Sequence, residues 1–368
     1  MRGSSLFPAM ALAAAALVAG CGAAPTSPAP ATPVTVSPKP APGPTNGQVV
    51  DALALAPAAG VAIAGDAIAA TTSNSDGSFT LTSTSGVGGT FITKFAQAAY
   101  VTRTTDVRVP GPDASLSLIP ATFDLASFDL MMRGTQRLER WVQAPTLKLQ
   151  ASVLQFTSLS NDGFLATSTT LSDAETASIV DDLSWALPQL TGNHFQSFAN
   201  VTVESASAGA IVPVVNAGVI TVARYSGLES ATGSTGYARW QASSDGTVTG
   251  ATIFLDQAFE KFTPTLVRSI RSHELGHALG YNHVSTAPSV MDPDQYLLPT
   301  DFDRQAASIA FQRPPGNKSP DTDRRYSPST ACCRSTGRLG RGTRAFDRTQ
   351  RQIHWRVESR RVSCPSLS

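Results

Sequence analysis

The stretch His273 to His283, HELGHALGYNH, carries three of the chain's five histidines. His273 and His277 are spaced i, i+4, so on a helix they lie one turn apart on one face, where two imidazoles can reach one metal ion. Glu274 sits beside them, placed to hold a water at the metal rather than to ligate it. Gly280 has no Cβ and can take the left-handed conformation that ends a helix, a turn able to swing His283 back as a third nitrogen ligand. Zinc with three protein ligands keeps a fourth position open for water, the mark of a catalytic site. The chemistry this implies is hydrolysis of an amide, most naturally a peptide bond. The metal lowers the pKa of water and polarises a carbonyl, while Glu274 acts as general base and passes the proton to the leaving amine. The competing reading is a solvated helix whose histidines face water.

A helix must carry these residues, and the sequence supplies its ends. Thr263 is placed as N-cap and Pro264 at the first helical position, where a missing N–H costs nothing. The helix should run to Leu279 and stop at Gly280. Ahead of it LKLQASVLQF, NVTVES, VITVARY and GYARWQA read as strands, the last joined through Asp245-Gly246 to TVTGATIFL. Ser172-x-x-Glu175 forms a capping box before an amphipathic helix ending near Pro188 and Gly192. A last helix starts at Thr300, with Asp303 three residues on, and buries Phe302, Ala306, Ile309 and Ala310. The order of elements, strand, long helix, several strands and a second helix, predicts a mixed α+β domain over 121–313.

The run His273-Glu274-x-x-His277-x-x-Gly280-x-x-His283, followed by Ser289-Val290-Met291-Asp292-Pro293, resembles the metzincin clan of zinc endopeptidases, most closely the matrixin type. The resemblance implies zinc bound by His273, His277 and His283, Glu274 as catalytic base, and Met291 as an apolar floor beneath the histidines. It also implies an extended peptide laid along an edge strand, here expected to be ATIFLD. A specificity pocket near the methionine turn would involve Tyr281, Leu297 and Leu298. The chain departs from the matrixin pattern in several places. Only His194 precedes His273, so the second, structural zinc is not expected and one Zn2+ is. Calcium at Asp245 is an open but unsupported reading, the Asp-Gly turn being simpler. No cysteine lies between 22 and 331, which excludes a cysteine-switch propeptide. The clan's transition-state Tyr would fall at Pro293, leaving Tyr296 as a weak candidate.

The rest of the chain concerns delivery. Residues 1–20 read as an export signal, with one early Arg and an apolar run from Leu6 to Val18. Val18-Ala19-Gly20-Cys21 resembles the lipobox of bacterial lipoproteins, implying a lipid on Cys21 and a protein anchored to the cell envelope rather than spanning a membrane. Residues 21–45 hold eight prolines. Such a run favours extended polyproline II and predicts a tether of roughly 70 Å at about 3.1 Å per residue. From 46 to 120, short apolar alternations broken by Gly, Asn and Asp predict a small β-sandwich, with Asn74-Ser75-Asp76-Gly77 as a hairpin turn. The spacing Gly47-x-Val49-x-Asp51, Gly60-Val61-x-Ile63, then Asp76-Gly77-Ser78-Phe79-x-Leu81 resembles prealbumin-like, carboxypeptidase-regulatory sandwiches.

Residues 1–313 carry 16 Lys+Arg against 23 Asp+Glu, whereas 314–368 carry 12 against 4. The basic segment reads either as a disordered arm for anionic surfaces or as a frameshifted end. Neither His354 nor the Cys332-Cys333 pair is assigned a metal. The expectation is an exported, monomeric zinc peptidase acting on peptide or protein, with no nucleic-acid partner. The alternatives are a non-enzymatic adhesin that recognises partners through the sandwich, and hydrolysis of another amide such as a cell-wall cross-link.

Overall fold

The structure, a computed structural model, describes residues 43–134, 136–157 and 163–323. The export signal, Cys21, most of the tether, and the tail's Cys332, Cys333 and His354 lie outside the described residues. Among the described residues no helix is long and apolar enough to cross a membrane.

Seven strands come first: β1 (Thr45–Asp51), β2 (Ala62–Gly65), β3 (Ile68–Thr72), β4 (Ser78–Leu81), β5 (Gly89–Ala96), β6 (Arg103–Val109) and β7 (Ala114–Leu118). They make two sheets, ordered β4-β1-β7 and β3-β2-β5-β6. Alternate residues face a shared core of Val49, Val61, Ile63, Phe79, Leu81, Phe95, Val107 and Leu118, which is the expected small sandwich. The turn at Asn74–Gly77 exists, with Gly77 at φ +78°. Around it the Asn74 N–H donates to the Ser78 carbonyl and Ile68 bridges Ser83 antiparallel, so the chain does fold back there, while β3 also ladders with β2 in one sheet and β4 with β1 in the other. Ile68 and Phe79 are thereby buried in the common core from either side of the corner.

Next come α1 (Leu125–Phe128), capped by Asp124, and a single π-turn over Asp129–Arg133. They are followed by β8 (Thr146–Gln155), β9 (Gly163–Thr170), α2 (Asp173–Gln189), β10 (Asn200–Glu204), β11 (Ile211–Pro213), β12 (Val219–Ser226), α3 (Leu228–Thr232), β13 (Gly236–Ala242), β14 (Val248–Asp256), α4 (Pro264–Ala278) and α5 (Asp301–Phe311). The chain thus mixes helices with sheets. The second sheet system is ordered β11-β9-β8-β12-β14-β13, with β10 beside the first half of β8. It is mixed: β8, β10, β12 and β14 run parallel, while β9, β11 and β13 are antiparallel to their neighbours.

Both expected capping boxes form, at Ser172–Glu175 and Thr300–Asp303. One sheet face buries Leu147, Leu149, Ile220, Val222, Ile253 and Leu255 against Ile179 and Leu183 of α2, Ile270 and Leu275 of α4, and Ile309 of α5. Each such side chain, fully buried, contributes roughly 1.5–3 kcal/mol. This core fixes α4 against β13 and β14.

Two expectations are corrected. The strand ATIFLD belongs to β14, which lies inside the sheet between β12 and β13, so it is not the edge; β13 is. Its nearly unbroken apolar run reflects burial on both faces. The boundary after Arg313 also moves. Asn317 and Asp321 are fully buried, and Arg313 makes a forked contact to Asp321 with N···O distances of 2.8–3.1 Å. Arg103 of β6 pairs with Asp323 at 2.8 Å. The Thr104 N–H donates to the Asp321 carbonyl and the Asp323 N–H to the Thr104 carbonyl. Residues 314–323 are therefore part of the folded body and close it against the sandwich.

Candidate metal centre

α4 ends as the sequence predicts. Thr263 has extended backbone and Pro264 follows it, although the Thr263 side chain makes no capping bond. Gly280 sits at φ +105°, and a Cβ there would fall 2.5 Å from the Glu139 carbonyl oxygen. Only glycine suits both the conformation and the close approach.

His273 and His277 are 4% and 2% exposed, which rules out a solvated helix face. The turn at Gly280 brings in His283, and the three Nε2 atoms form a triangle with every edge 3.1 Å. His273 Nδ1 lies 2.7 Å from the Val290 carbonyl oxygen and His277 Nδ1 2.7 Å from that of Tyr281. A carbonyl oxygen can only accept, so each of those Nδ1 atoms carries the proton and donates. The facing Nε2 atoms of His273 and His277 are then unprotonated, the form in which an imidazole nitrogen can bind a metal. The triangle places each nitrogen about 1.8 Å from its centre, a spacing at which the three could together hold an ion with zinc–nitrogen bonds of roughly 2.0–2.1 Å.

Electrostatics agree with this donor set. Burial, then the neighbouring His283, holds the His273 pKa down to about 3. Burial, then His273 and His283, holds His277 well below its ordinary value, and burial lowers His283 as well. The three rings are neutral near pH 7, the form in which imidazole binds a metal. Among the described residues this is the one group of three or more potential ligands so gathered. His194 is not in it; its ring packs on Phe195 and Phe311.

Glu274 is 1% exposed, its Oε2 has no hydrogen-bond partner, and burial raises its pKa well above 4.5. Such a buried, unpartnered carboxyl beside a donor cluster is poised to take a proton. Its room comes from Gly236 on β13, where a Cβ would lie 2.5 Å from Glu274 Oε1. Gly276 plays a matching part, since a Cβ there would collide with the Met291 sulfur. Met291 is fully buried under the helix at that point. Neither glycine was singled out by the motif, although glycine inside a strand or helix signals close approach.

Met291 is held by α5. Asp303, fully buried, accepts from Ser289 Oγ and from the Val290 and Thr300 N–H groups at 2.5–2.9 Å. Sequence reasoning read Asp303 as a helix cap alone. In the structure it also fixes Val290, whose carbonyl orients His273. Trp240 of β13 stacks 6.4 Å from the His277 ring, nearly parallel, while its Nε1 donates to Glu139 Oε2.

The remaining expectations divide. Tyr296 lines a narrow recess with Ser269, Ile270, His273, Glu274 and Gln295, so it does reach the site. Tyr281 is turned inward: it is 1% exposed and its hydroxyl donates to the Leu190 carbonyl. Leu298 lines a separate cavity of about 320 Å³ between α2 and the start of α4, and the Leu297 carbonyl accepts from Ser269 Oγ at 2.8 Å. Asp245 accepts from Ser243 Oγ and the Thr247 N–H, which accounts for it as a turn residue. No protein-family model matches the chain, and no curated protein matches it.

Proposed function

We propose that this chain is a zinc-dependent endopeptidase of the metzincin type its motif resembles, held at a bacterial envelope by a lipid on Cys21. The observation that carries the reading is the 3.1 Å triangle of Nε2 atoms, two of them stripped of protons by their Nδ1 bonds to Val290 and Tyr281. His273, His277 and His283 would hold the ion. A zinc ion bound there polarises a carbonyl and lowers the pKa of water toward neutrality.

The chain's own residues supply the rest. Glu274 takes the water proton on a carboxylate oxygen and delivers it to the leaving amine. Gly236 keeps that carboxylate beside β13, which ends the strand order among the described residues and to which an extended peptide can add as a further strand. Met291 and Gly276 set the depth of α4 above the methionine turn. Asp303, through Val290, keeps His273 in the tautomer that presents Nε2.

The test is to assay the purified chain for bound zinc and for cleavage of an unstructured protein, beside Glu274→Ala and with cell-wall material as a second substrate. Zinc in both proteins and cleavage by the unsubstituted chain alone are expected. Equal cleavage by both refutes the mechanism, and action on wall material alone refutes the proteolytic assignment.

A further inference from the structure

His273 and His277 ride on a helix, but His283 stands beyond its end, so its place depends on whatever holds residues 281–286. Two of those anchors come from the short segment between sandwich and sheet. The Met131 carbonyl accepts from both the N–H and the Nδ2 of Asn282, at 2.8 and 3.2 Å. Ser127 Oγ lies 2.7 Å from Thr286 Oγ1. Met131 is part of the π-turn Asp129–Arg133, and Arg133 locks that turn. Its Nη1 reaches Asp129 Oδ1 at 2.5 Å and the Pro320 carbonyl at 3.0 Å, and its Nη2 reaches Asn317 Oδ1 at 2.6 Å. The guanidinium is 2% exposed and rests on the Phe128 ring.

We propose that Arg133, with Asp129, is a positioning residue for the metal centre. By clamping the π-turn onto residues 317–320, it aims the Met131 carbonyl that holds the His283 loop. The route is contiguous: residues 317–320, Arg133, the π-turn, Met131, Asn282, His283. The three acceptors are divided between the two Nη atoms of a planar fork, an arrangement that a single ammonium nitrogen does not reproduce, so lysine keeps the charge and loses the clamp. The inference rests on the zinc reading above and extends it to residues that touch neither metal nor substrate. Residues 317–320, placed by composition in the tail, thereby serve the site.

The experiment measures zinc affinity of the full chain, stripped of metal, by competition with a chromophoric chelator. Arg133→Lys and Asp129→Asn are compared with Phe79→Leu, which loosens the sandwich core away from this route. Thermal melts define a temperature at which every variant is folded. Both clamp variants should bind zinc about tenfold or more weakly, the usual effect of removing support from around a metal ligand. With cobalt(II) in place of zinc, their visible absorption should shift as His283 is lost, while Phe79→Leu keeps the affinity and spectrum of the unsubstituted chain. Asp129 is partly exposed, so Asp129→Asn decides the matter if Arg133→Lys does not fold. Clamp variants that bind within twofold of the unsubstituted chain, or Phe79→Leu weakening equally, overturn the inference while leaving the zinc reading intact. An unsubstituted chain that binds no zinc overturns both.

Discussion

Cutting the chain after Arg313, where its composition changes, should unfold it, whereas cutting after Asp323 should not. The shorter truncation removes Asn317, Asp321 and Asp323. Arg313, with no side-chain exposure, then loses its forked partner, and Arg103, 6% exposed, loses Asp323. Arg133 also loses Asn317 Oδ1 and the Pro320 carbonyl. Breaking a buried ion pair by deleting one partner costs about 3–5 kcal/mol, because the survivor stays buried and uncompensated. Two such losses approach the roughly 5–15 kcal/mol that holds a domain folded. The backbone bonds between Thr104 and residues 321 and 323 go as well. The assay is urea unfolding of chains ending at 313 and at 323 with a common N-terminus, followed by circular dichroism and tryptophan fluorescence. The longer chain should unfold cooperatively and the shorter should be unfolded, or nearly so, without denaturant. Equal midpoints for the two would refute the claim that this segment closes the body.

Other substitutions probe the site and its frame. Gly236→Ala should leave zinc binding intact but push the Glu274 carboxylate aside, and a displacement near 1 Å costs about a hundredfold in kcat/KM; unchanged kinetics would remove Gly236 from the mechanism. Gly276→Ala sets a Cβ against the Met291 sulfur and should lower stability by about 1–3 kcal/mol, read from denaturant midpoints. Glu175 has its pKa lowered to about 2, first by the backbone bond at Ser172 and then by Arg224. The stability it contributes is therefore complete above its ordinary value near 4.5 and disappears as pH falls from there toward 2. The stability gap between the unsubstituted chain and Glu175→Gln should accordingly shrink from pH 6 to pH 3, and a constant gap would contradict that linkage.

The histidine cluster was legible because its information is local. An i, i+4 pair, a helix-ending glycine and a histidine three residues beyond it specify one another within eleven residues. Capping boxes at Ser172 and Thr300 are legible for the same reason. What escaped depends on contacts between distant segments. Gly236 and Glu274 meet only when β13 lies along α4, and Asp303 reaches Val290 only when α5 folds back under the methionine turn. The edge strand was misread although the sequence carried a signal. ATIFL is apolar but for the buried Thr252, as befits an interior strand, while GYARWQA interleaves Arg239 and Gln241. Residues 314–323 were misplaced because they are polar and have no apolar period. Their burial rests on ion pairs with Arg103, Arg133 and Arg313, which a reading based on hydrophobic periodicity does not register.

X-ray absorption at the zinc edge, recorded on the purified chain, most directly tests whether His273, His277 and His283 form a metal site. One zinc per chain is expected, with nitrogen or oxygen neighbours at about 2.0–2.1 Å and outer-shell scattering from three imidazoles that falls to two in His283→Ala. Absence of zinc, a sulfur shell, or scattering unchanged by that substitution would contradict it.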